Sequence, residues 1–403
     1  MFKQFFSRPE ARWAVVSVFA LSNTLNFLDR QILTSLAPQL KQEFGISNAG
    51  FGDLLMVFSL CYALAAPFAG LFLDRAGLAR GSSLVVAFWS LAGIATGLVH
   101  SFAGLLLCRA ALGVGEAGGI PGTGKASALY LAPRERAFGS AISQVGLTLG
   151  GIIAPVMAQW ISLRYGWRWA FILAGALGFL WIPLWLAVSR AAPRPGESHG
   201  PRGSALRPLL TDSRFYAVLA ANVLLMSVYS LWVNWTTVFL VSEHGMSQAE
   251  ANYRLAWIPP IFATAGGFAG SWLTLRWSRA GQPVTPARMR VILAGSLLLL
   301  AGAAVPLMPS AASAIALVCL SFFACVMSSV NIYALPLDLF GPGRAGFAVA
   351  GLTSAYGLLQ GVFSSAAGRI VDAHGFAPLC VGVAIAPMAS WAVLHLALKR
   401  RPA

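Results

Sequence analysis

Four ionisable side chains, Asp29, Arg30, Arg109 and Glu116, stand inside long apolar stretches of the first half of this 403-residue sequence. If those stretches cross a membrane, each charge costs about 2.5–3.5 kcal/mol at a helix centre, so retaining four of them implies a use. An arginine keeps its charge and offers a planar fork that matches a carboxylate. An aspartate or glutamate can hold a proton in one state and release it in another. On a helix Arg109 and Glu116 share a face, about 10.5 Å apart in depth. Arg30 lies about 27 Å along a helix that begins near Arg12. These depths are compatible with one anion-binding pocket. The chemistry expected is carboxylate binding by Arg30, assisted by Arg109, and proton carriage by Asp29 and Glu116. Structural Asp–Arg and Arg–Glu pairing is the alternative use of the same residues, and the two are not exclusive.

The elements that must position these residues are membrane spans. Hydrophobic residues make up 58% of the chain and charged residues 10%, against roughly 25% charged in soluble domains. That composition excludes a single soluble globular domain, a disordered chain and a collagen-like one. The 41 Gly, 22 Pro and 13 Trp suit membrane helices. A span needs about 20 apolar residues, and the apolar runs predict twelve: 13–38, 50–73, 81–99, 102–125, 136–159, 168–189, 214–241, 252–275, 289–308, 311–334, 345–368 and 376–398. The fold expected is all-α and polytopic, with six helices in 1–189, a Pro/Gly/Ser-rich linker over 190–213, and six helices in 214–403. Lys and Arg concentrate in alternate connections, Arg75 and Arg80 among them, and in both end segments. The positive-inside rule then puts both termini in the cytoplasm.

The net charge of +15 does not indicate nucleic acid, because the basic residues punctuate apolar runs and form no polar face. Cys61, Cys108, Cys319, Cys325 and Cys380 all lie in apolar runs and read as reduced small hydrophobes. The histidines have no metal-ligand spacing, so no metal or cofactor is expected. The first apolar run carries Asn23, Asn26, Asp29 and Arg30 and no small-residue cleavage site, which reads as a retained span. Two phosphate-loop look-alikes overlap in the fourth span. Gly119-Ile-Pro-Gly-Thr-Gly-Lys125 is followed by Ala126 where Mg²⁺ coordination needs Ser or Thr, and Gly113-Val-Gly-Glu-Ala-Gly118 lacks the strand such a fingerprint follows. No nucleophile–base constellation points to an enzyme.

After the second span the sequence reads Gly70-x-x-x-Asp74-Arg75-x-Gly77-x-x-Arg80. This spacing resembles the cytoplasmic signature of the major facilitator superfamily, whose two six-helix halves face a site near the bilayer midplane. The corresponding loop of the second half keeps Gly270, Arg276 and Arg279 but lacks the Asp. Gly70, Asp74, Arg75 and Arg80 are therefore expected to form a cytoplasmic gate. Three further stretches narrow the resemblance: Asn26-Phe-Leu-Asp-Arg30, Arg109-x-x-x-Gly113-x-Gly115-Glu116-Ala117, and Tyr165-Gly-Trp-Arg-Trp-Ala-Phe171 with Trp257-Ile-Pro259. These are similar to the anion:cation symporters, and among them to hexuronate and sugar-acid carriers. The resemblance implies proton-coupled uptake of an organic acid anion, a hexuronate or aldonate; the short loops, with no glycosylation sequon on the outer side, point to a bacterial inner membrane. The resemblance also assigns Tyr62 to the substrate. One position departs: Phe27 stands where sugar-acid carriers often have Tyr, which removes a hydroxyl and weakens the sugar assignment.

The second half offers amides and hydroxyls: Asn234 on the seventh span, Asn331 on the tenth, Tyr356 and Gln360 on the eleventh. These suit a polyhydroxylated chain, and interhelical hydrogen bonding is an equal alternative for each. No intramembrane charge is expected in this half. Lys125 is expected to snorkel to the inner interface. The partners implied are a small organic anion, a proton and membrane lipid, with no nucleic acid and no obligate protein partner. Two other readings stay open: the same fold moving a simple mono- or dicarboxylate or a drug-like molecule, and a membrane sensor that binds a sugar acid without moving it.

Overall fold

The computed structural model describes residues 11–132, 135–191 and 207–399. The N-terminal segment ahead of Ala11, most of the expected linker and the basic C-terminal residues from Arg400 on lie outside them. In chain order the helices of the first part are α1 (Ala11–Ser35), α2 (Ala37–Phe44), α3 (Asn48–Ala76), α4 (Leu78–Thr96), α5 (Phe102–Glu116), α6 (Gly119–Tyr130), α7 (Arg136–Tyr165) and α8 (Trp167–Ala191). Those of the second are α9 (Ser213–His244), α10 (Pro259–Arg279), α11 (Val284–Leu299), α12 (Ala311–Phe340), α13 (Pro342–His374) and α14 (Ala377–Lys399). The described chain forms two compact units, one from 1–46 and 53–200 and one from 47–52 and 201–403.

A helix occupies each of the twelve expected positions, and ten of these spans are long and apolar enough to cross a membrane. The other two, α1 and α10, are less apolar. In α1 the polar run Asn23, Asn26, Asp29, Arg30 dilutes the hydrophobic residues, and in α10 Pro259, Pro260 and a set of glycines do so. The helix bounds differ from expectation where backbone chemistry intervenes. The first span bends at Leu36 into α2, which opens with Pro38 in its first turn. In the fourth span α5 ends at Glu116 and α6 starts at Gly119, with Ala117 and Gly118 between them in right-handed helical conformation. Gly77, with φ of 75°, makes the tight turn from α3 to α4, and Gly166, with φ of 90°, makes the one from α7 to α8.

In the first unit Phe19 of α1 packs edge-on against Trp181 and Trp185 of α8, whose rings stack 5.5 Å apart. Leu112, Trp89 and Val86 complete this core. Glycines bring α7 against α1: a Cβ on Gly146 would meet the Ala20 carbonyl oxygen at 2.7 Å, and one on Gly150 the Thr24 oxygen at 2.6 Å. At one end of the unit Arg168 donates to Glu43 and to the Val99 carbonyl and lies 4.4 Å from the Trp167 ring centre. The Tyr165–Phe171 stretch is thus a fastening between α2, α7 and α8.

In the second unit Asp212 caps α9, and the Arg214 guanidinium beside it holds its carboxyl below the usual carboxylate range. An ion pair joins Arg288 of α11 to Asp338 of α12 at 2.6 Å, both largely shielded. Both residues lie at helix ends, outside the apolar runs 289–308 and 311–334 expected to span. The two residues are fifty positions apart, so neither apolar run shows its partner. Asp372 accepts hydrogen bonds from the backbone N–H groups of Asn48 and Ala49 in the same unit.

The glycine contacts generate a stability test. Gly150→Val should lower the apparent Tm of the purified protein by about 5 °C, since overpacking costs about 1–3 kcal/mol. Gly124→Ala, with no neighbour within 4 Å of the added carbon, should leave Tm within about 1 °C. Thermal-shift melting in detergent reads both.

Candidate functional site

The first unit brings Asp29, Arg30, Tyr62, Arg109 and Glu116 together. The α1 helix supplies Asp29 and Arg30, α3 supplies Tyr62, and α5 supplies Arg109 and Glu116 on one face. Arg30 Nε donates to Glu116 Oε2 at 2.5 Å, and Glu116 is fully buried. The Arg30 guanidinium carbon lies 4.8 Å from the Phe58 ring centre and 4.7 Å from that of Tyr62. These two rings are four residues apart on α3 and so share a face. Cation–π attraction to both holds the guanidinium in a fixed plane.

Arg109 is 2% exposed. Its guanidinium carbon lies 5.9 Å from the Phe171 ring centre, and its Nε and one terminal nitrogen have no hydrogen-bond partner among the described residues. Glu116 Oε1 and Asp29 Oδ2 are likewise buried without partners. Asp29 lies within electrostatic reach of Glu116, Arg109 and Arg30. A buried charge with unsatisfied hydrogen bonds is costly, so the pocket is poised to take a further polar group. Two guanidiniums and two carboxylates balance formally, and the guanidinium donors outnumber what Glu116 and Asp29 accept. The opposite-charge neighbour of Glu116 on its own helix is Arg109, yet its hydrogen-bonded partner is Arg30 from α1.

The gate residues fall at the junction of α3 and α4. Gly70 faces the side chain of Pro121, while Asp74, Arg75 and Arg80 are exposed. Asp74 pairs with Lys125 at 2.8 Å. Lys125, near a span end as expected, also reaches the Leu73 carbonyl of α3 at 2.8 Å.

The four candidates of the second unit differ among themselves. The Asn331 carboxamide oxygen accepts from Thr274 at 2.7 Å and from Arg288 at 3.3 Å, and its amide donates to the Met327 and Gly270 carbonyls at 3.0 and 3.4 Å. That side chain is spent on holding α10, α11 and α12 together. Asn234 donates to the Ser230 carbonyl of its own helix at 2.9 Å. Tyr356 accepts from the Ser230 hydroxyl at 3.3 Å and stays half-buried, as does Gln360. Of the four candidates, Asn234, Tyr356 and Gln360 are not engaged in such a network.

Sequence reasoning overlooked Phe58 and Phe171, which shape the two guanidiniums. The i, i+4 spacing of Phe58 and Tyr62 was the available signal. Among the described residues no cluster of His, Cys, Asp and Glu could hold a metal, and all five cysteines are free thiols.

Membrane-length helices in two units, with a buried set of paired and unpaired charges inside the first, define a polytopic membrane transporter. The sequence profile of the Major Facilitator Superfamily matches residues 19–364, and the chain belongs to that superfamily. The hexuronate transporter of Escherichia coli K12 is 27% identical over 413 residues, covering 97% of this chain and 95% of that protein. The galacturonate transporter of Dickeya chrysanthemi is 26% identical, covering 76% and 94%. A crystal structure of a bacterial homologue of the human lysosomal transporter Spinster superposes with a TM-score of 0.73 at 22% identity, covering 96% of both chains.

The arginine geometry sets a direct test. Arg30→Lys keeps the charge and loses the fork and the ring contacts, so binding of a carboxylate such as glucuronate should weaken at least tenfold by calorimetry. Phe58→Leu removes one of two rings and should weaken it about fivefold, for about 1 kcal/mol of cation–π attraction.

Proposed function

We propose that the protein is a proton-coupled importer of a hexuronate or related sugar acid, in the bacterial inner membrane with both termini cytoplasmic. The observation that carries this reading is the Arg30–Glu116 pair beside the unpartnered Arg109. On this reading the substrate carboxylate takes the Nε edge of Arg30 that Glu116 occupies. When Glu116 takes a proton it loses its charge and its hold on the guanidinium, and the carboxylate replaces it on Arg30 with Arg109 alongside. When the substrate leaves, Glu116 ionises and reclaims Arg30. Proton and anion are thereby linked through one arginine, which is the coupling that symport requires. Asp29, next to Arg30 in sequence and near Glu116 in space, is the second proton carrier. In the second unit Tyr356, Gln360 and Asn234 offer hydroxyl and amide groups for the sugar hydroxyls, while Asn331 supports the helices. Gly70, Asp74, Arg75 and Arg80 form the cytoplasmic gate.

Support for the substrate class comes from the hexuronate and galacturonate transporters among the relatives, and support for the orientation from the Lys and Arg bias. A second reading, a smaller and less hydroxylated acid, is favoured by Phe27, which brings no hydroxyl to the pocket. A relative described as a probable sulfoacetate transporter, 27% identical and from Cupriavidus necator, fits that alternative.

Proteoliposomes test the proposal. Wild type should accumulate glucuronate or galacturonate under an inward proton gradient. Glu116→Gln should abolish that accumulation and keep counterflow within about threefold of wild type, since the amide is held in the neutral form. Asp29→Asn should impair accumulation too. Full pH-driven accumulation by Glu116→Gln would sink the assignment of the proton to Glu116. Accumulation of a small carboxylate or sulfonate, but of no hexuronate, would favour the second reading.

A further inference from the structure

Where α1 meets the fourth span, polar residues face each other turn by turn. At one level Arg30 meets Glu116. Two turns nearer the start of α1, Asn23 meets Thr123. The Asn23 Nδ2 donates to Thr123 Oγ1 at 3.0 Å, and that hydroxyl lies 3.2 Å from Asn23 Oδ1 and 3.0 Å from the Gly119 carbonyl oxygen. Between these two rungs stand Asn26 and Gly119. Asn26 is four residues from Arg30 and three from Asn23, and Gly119 is three from Glu116 and four from Thr123. Each therefore shares a helix face with both of its neighbours. The right-handed helical angles of Ala117 and Gly118 carry that face from α5 into α6.

The middle rung has a side chain on one helix only. Asn26 is 6% exposed, and its Nδ2 is buried with no hydrogen-bond partner among the described residues. That nitrogen is also the one described atom within 4 Å of a Cβ placed on Gly119, at 3.7 Å. A buried amide donor needs an acceptor, and glycine opposite it leaves room for one the size of a hydroxyl. On the pocket side Glu116 Oε1 is likewise buried without a partner. On the other side the track reaches a surface, since Thr123 is half-buried and Gly124 exposed. Neighbours three and four apart on a helix stand about 5–6 Å from each other, a separation that one water bridges. Such a water accepts from Asn26 and donates toward Glu116 and Thr123, which gives it the partners that a buried water requires.

We propose that Gly119 and Asn26 hold a water molecule that relays the proton of Glu116 to Thr123, toward the end of the span that the Lys and Arg bias assigns to the cytoplasm. Glu116 passes its carboxylic proton to the water as the water passes one of its own to the Thr123 hydroxyl oxygen. The hydroxyl proton of Thr123 then leaves to solvent. Water and hydroxyl end the step as they began it, and Glu116 ends as a carboxylate able to hold Arg30. Asn26 is a positioning residue, and its amide carries no proton. The route sets how fast the proton leaves and does not alter how many leave. The relay rests on the transport reading above; the water site itself does not.

Gly119→Ala and Gly119→Ser separate crowding from polarity, because they add side chains of similar size and a Cβ here makes only an ordinary contact. Thermal melting of the full chain in detergent tests the site without any substrate. Gly119→Ala displaces the water and strands the Asn26 donor, whereas the hydroxyl of Gly119→Ser takes the place of the water. Gly119→Ser should therefore melt about 3 °C above Gly119→Ala, against their helix propensities. In an Asn26→Leu background the donor is gone and the order should reverse. In proteoliposomes under an inward proton gradient, Gly119→Ala should take up glucuronate about tenfold more slowly than wild type, for loss of a positioned proton-transfer group. It should still reach the wild-type plateau, with counterflow and Kd close to those of wild type. Gly119→Ser should recover most of the lost rate. Wild-type uptake by Gly119→Ala, or no gain from Gly119→Ser over Gly119→Ala in either assay, would overturn the proposal. So would a loss of affinity in Gly119→Ala as large as its loss of rate, which would assign the site to a substrate hydroxyl. The expected melting order in a protein whose wild type neither binds nor moves a sugar acid would uphold the water site and refute the relay together with the transport reading.

Discussion

A charge cannot be left alone in the middle of an apolar helix bundle, and the first unit is organised around that constraint. Arg30 is half-buried on α1, with 27% of its side chain exposed. It is met by Glu116 from α5 and by two rings from α3. The glycine contacts of α7 with α1, and the Phe19 packing on α8, fix the helix that carries Arg30. Replacing a buried pair with hydrophobic residues is often neutral or stabilising, so stability alone does not require these charges. Their retention is accounted for by a pair that changes partners.

Two clusters of buried polar groups, one in each unit, differ in how far they are satisfied. In the second, Asn331, Thr274, Arg288 and Asp338 form a closed network in which the Asn331 amide and carbonyl are fully engaged. Such a satisfied network rigidifies the helices that share it. In the first, Arg109, Asp29 and Glu116 each keep a buried polar atom without a partner. A set of groups that leaves donors and acceptors open within one pocket is suited to a polar ligand and to proton exchange.

Much of this was legible in the sequence because apolar length and charge placement are one-dimensional signals. Twelve runs mark twelve spans, and four charges well inside those of the first half mark the candidate site. What the sequence did not display is pairing between distant residues. Seven positions separate Arg109 from Glu116, which makes them look like partners, yet Glu116 bonds to Arg30 from 86 positions away. Arg288 and Asp338 stand near span ends, where a lone charge ordinarily meets water, and their proximity appears only when α11 packs on α12. Asn331 looked available for a substrate until Thr274 and Arg288 were seen to occupy it. The boundary between α5 and α6 lies in a Gly-rich, Pro-containing stretch, and those residues allow a continuous helix as readily as an interrupted one in a membrane.

The central claim is that Glu116 takes up a proton, releases Arg30, and is replaced there by a substrate carboxylate. Proton uptake on binding measures it directly. Calorimetry of glucuronate binding near neutral pH, repeated in buffers of different ionisation enthalpy, gives the number of protons taken up per ligand bound. The account predicts about one for the wild-type protein and none for Glu116→Gln, with binding retained in both. Wild-type binding without proton uptake, or the same uptake in Glu116→Gln, would contradict it.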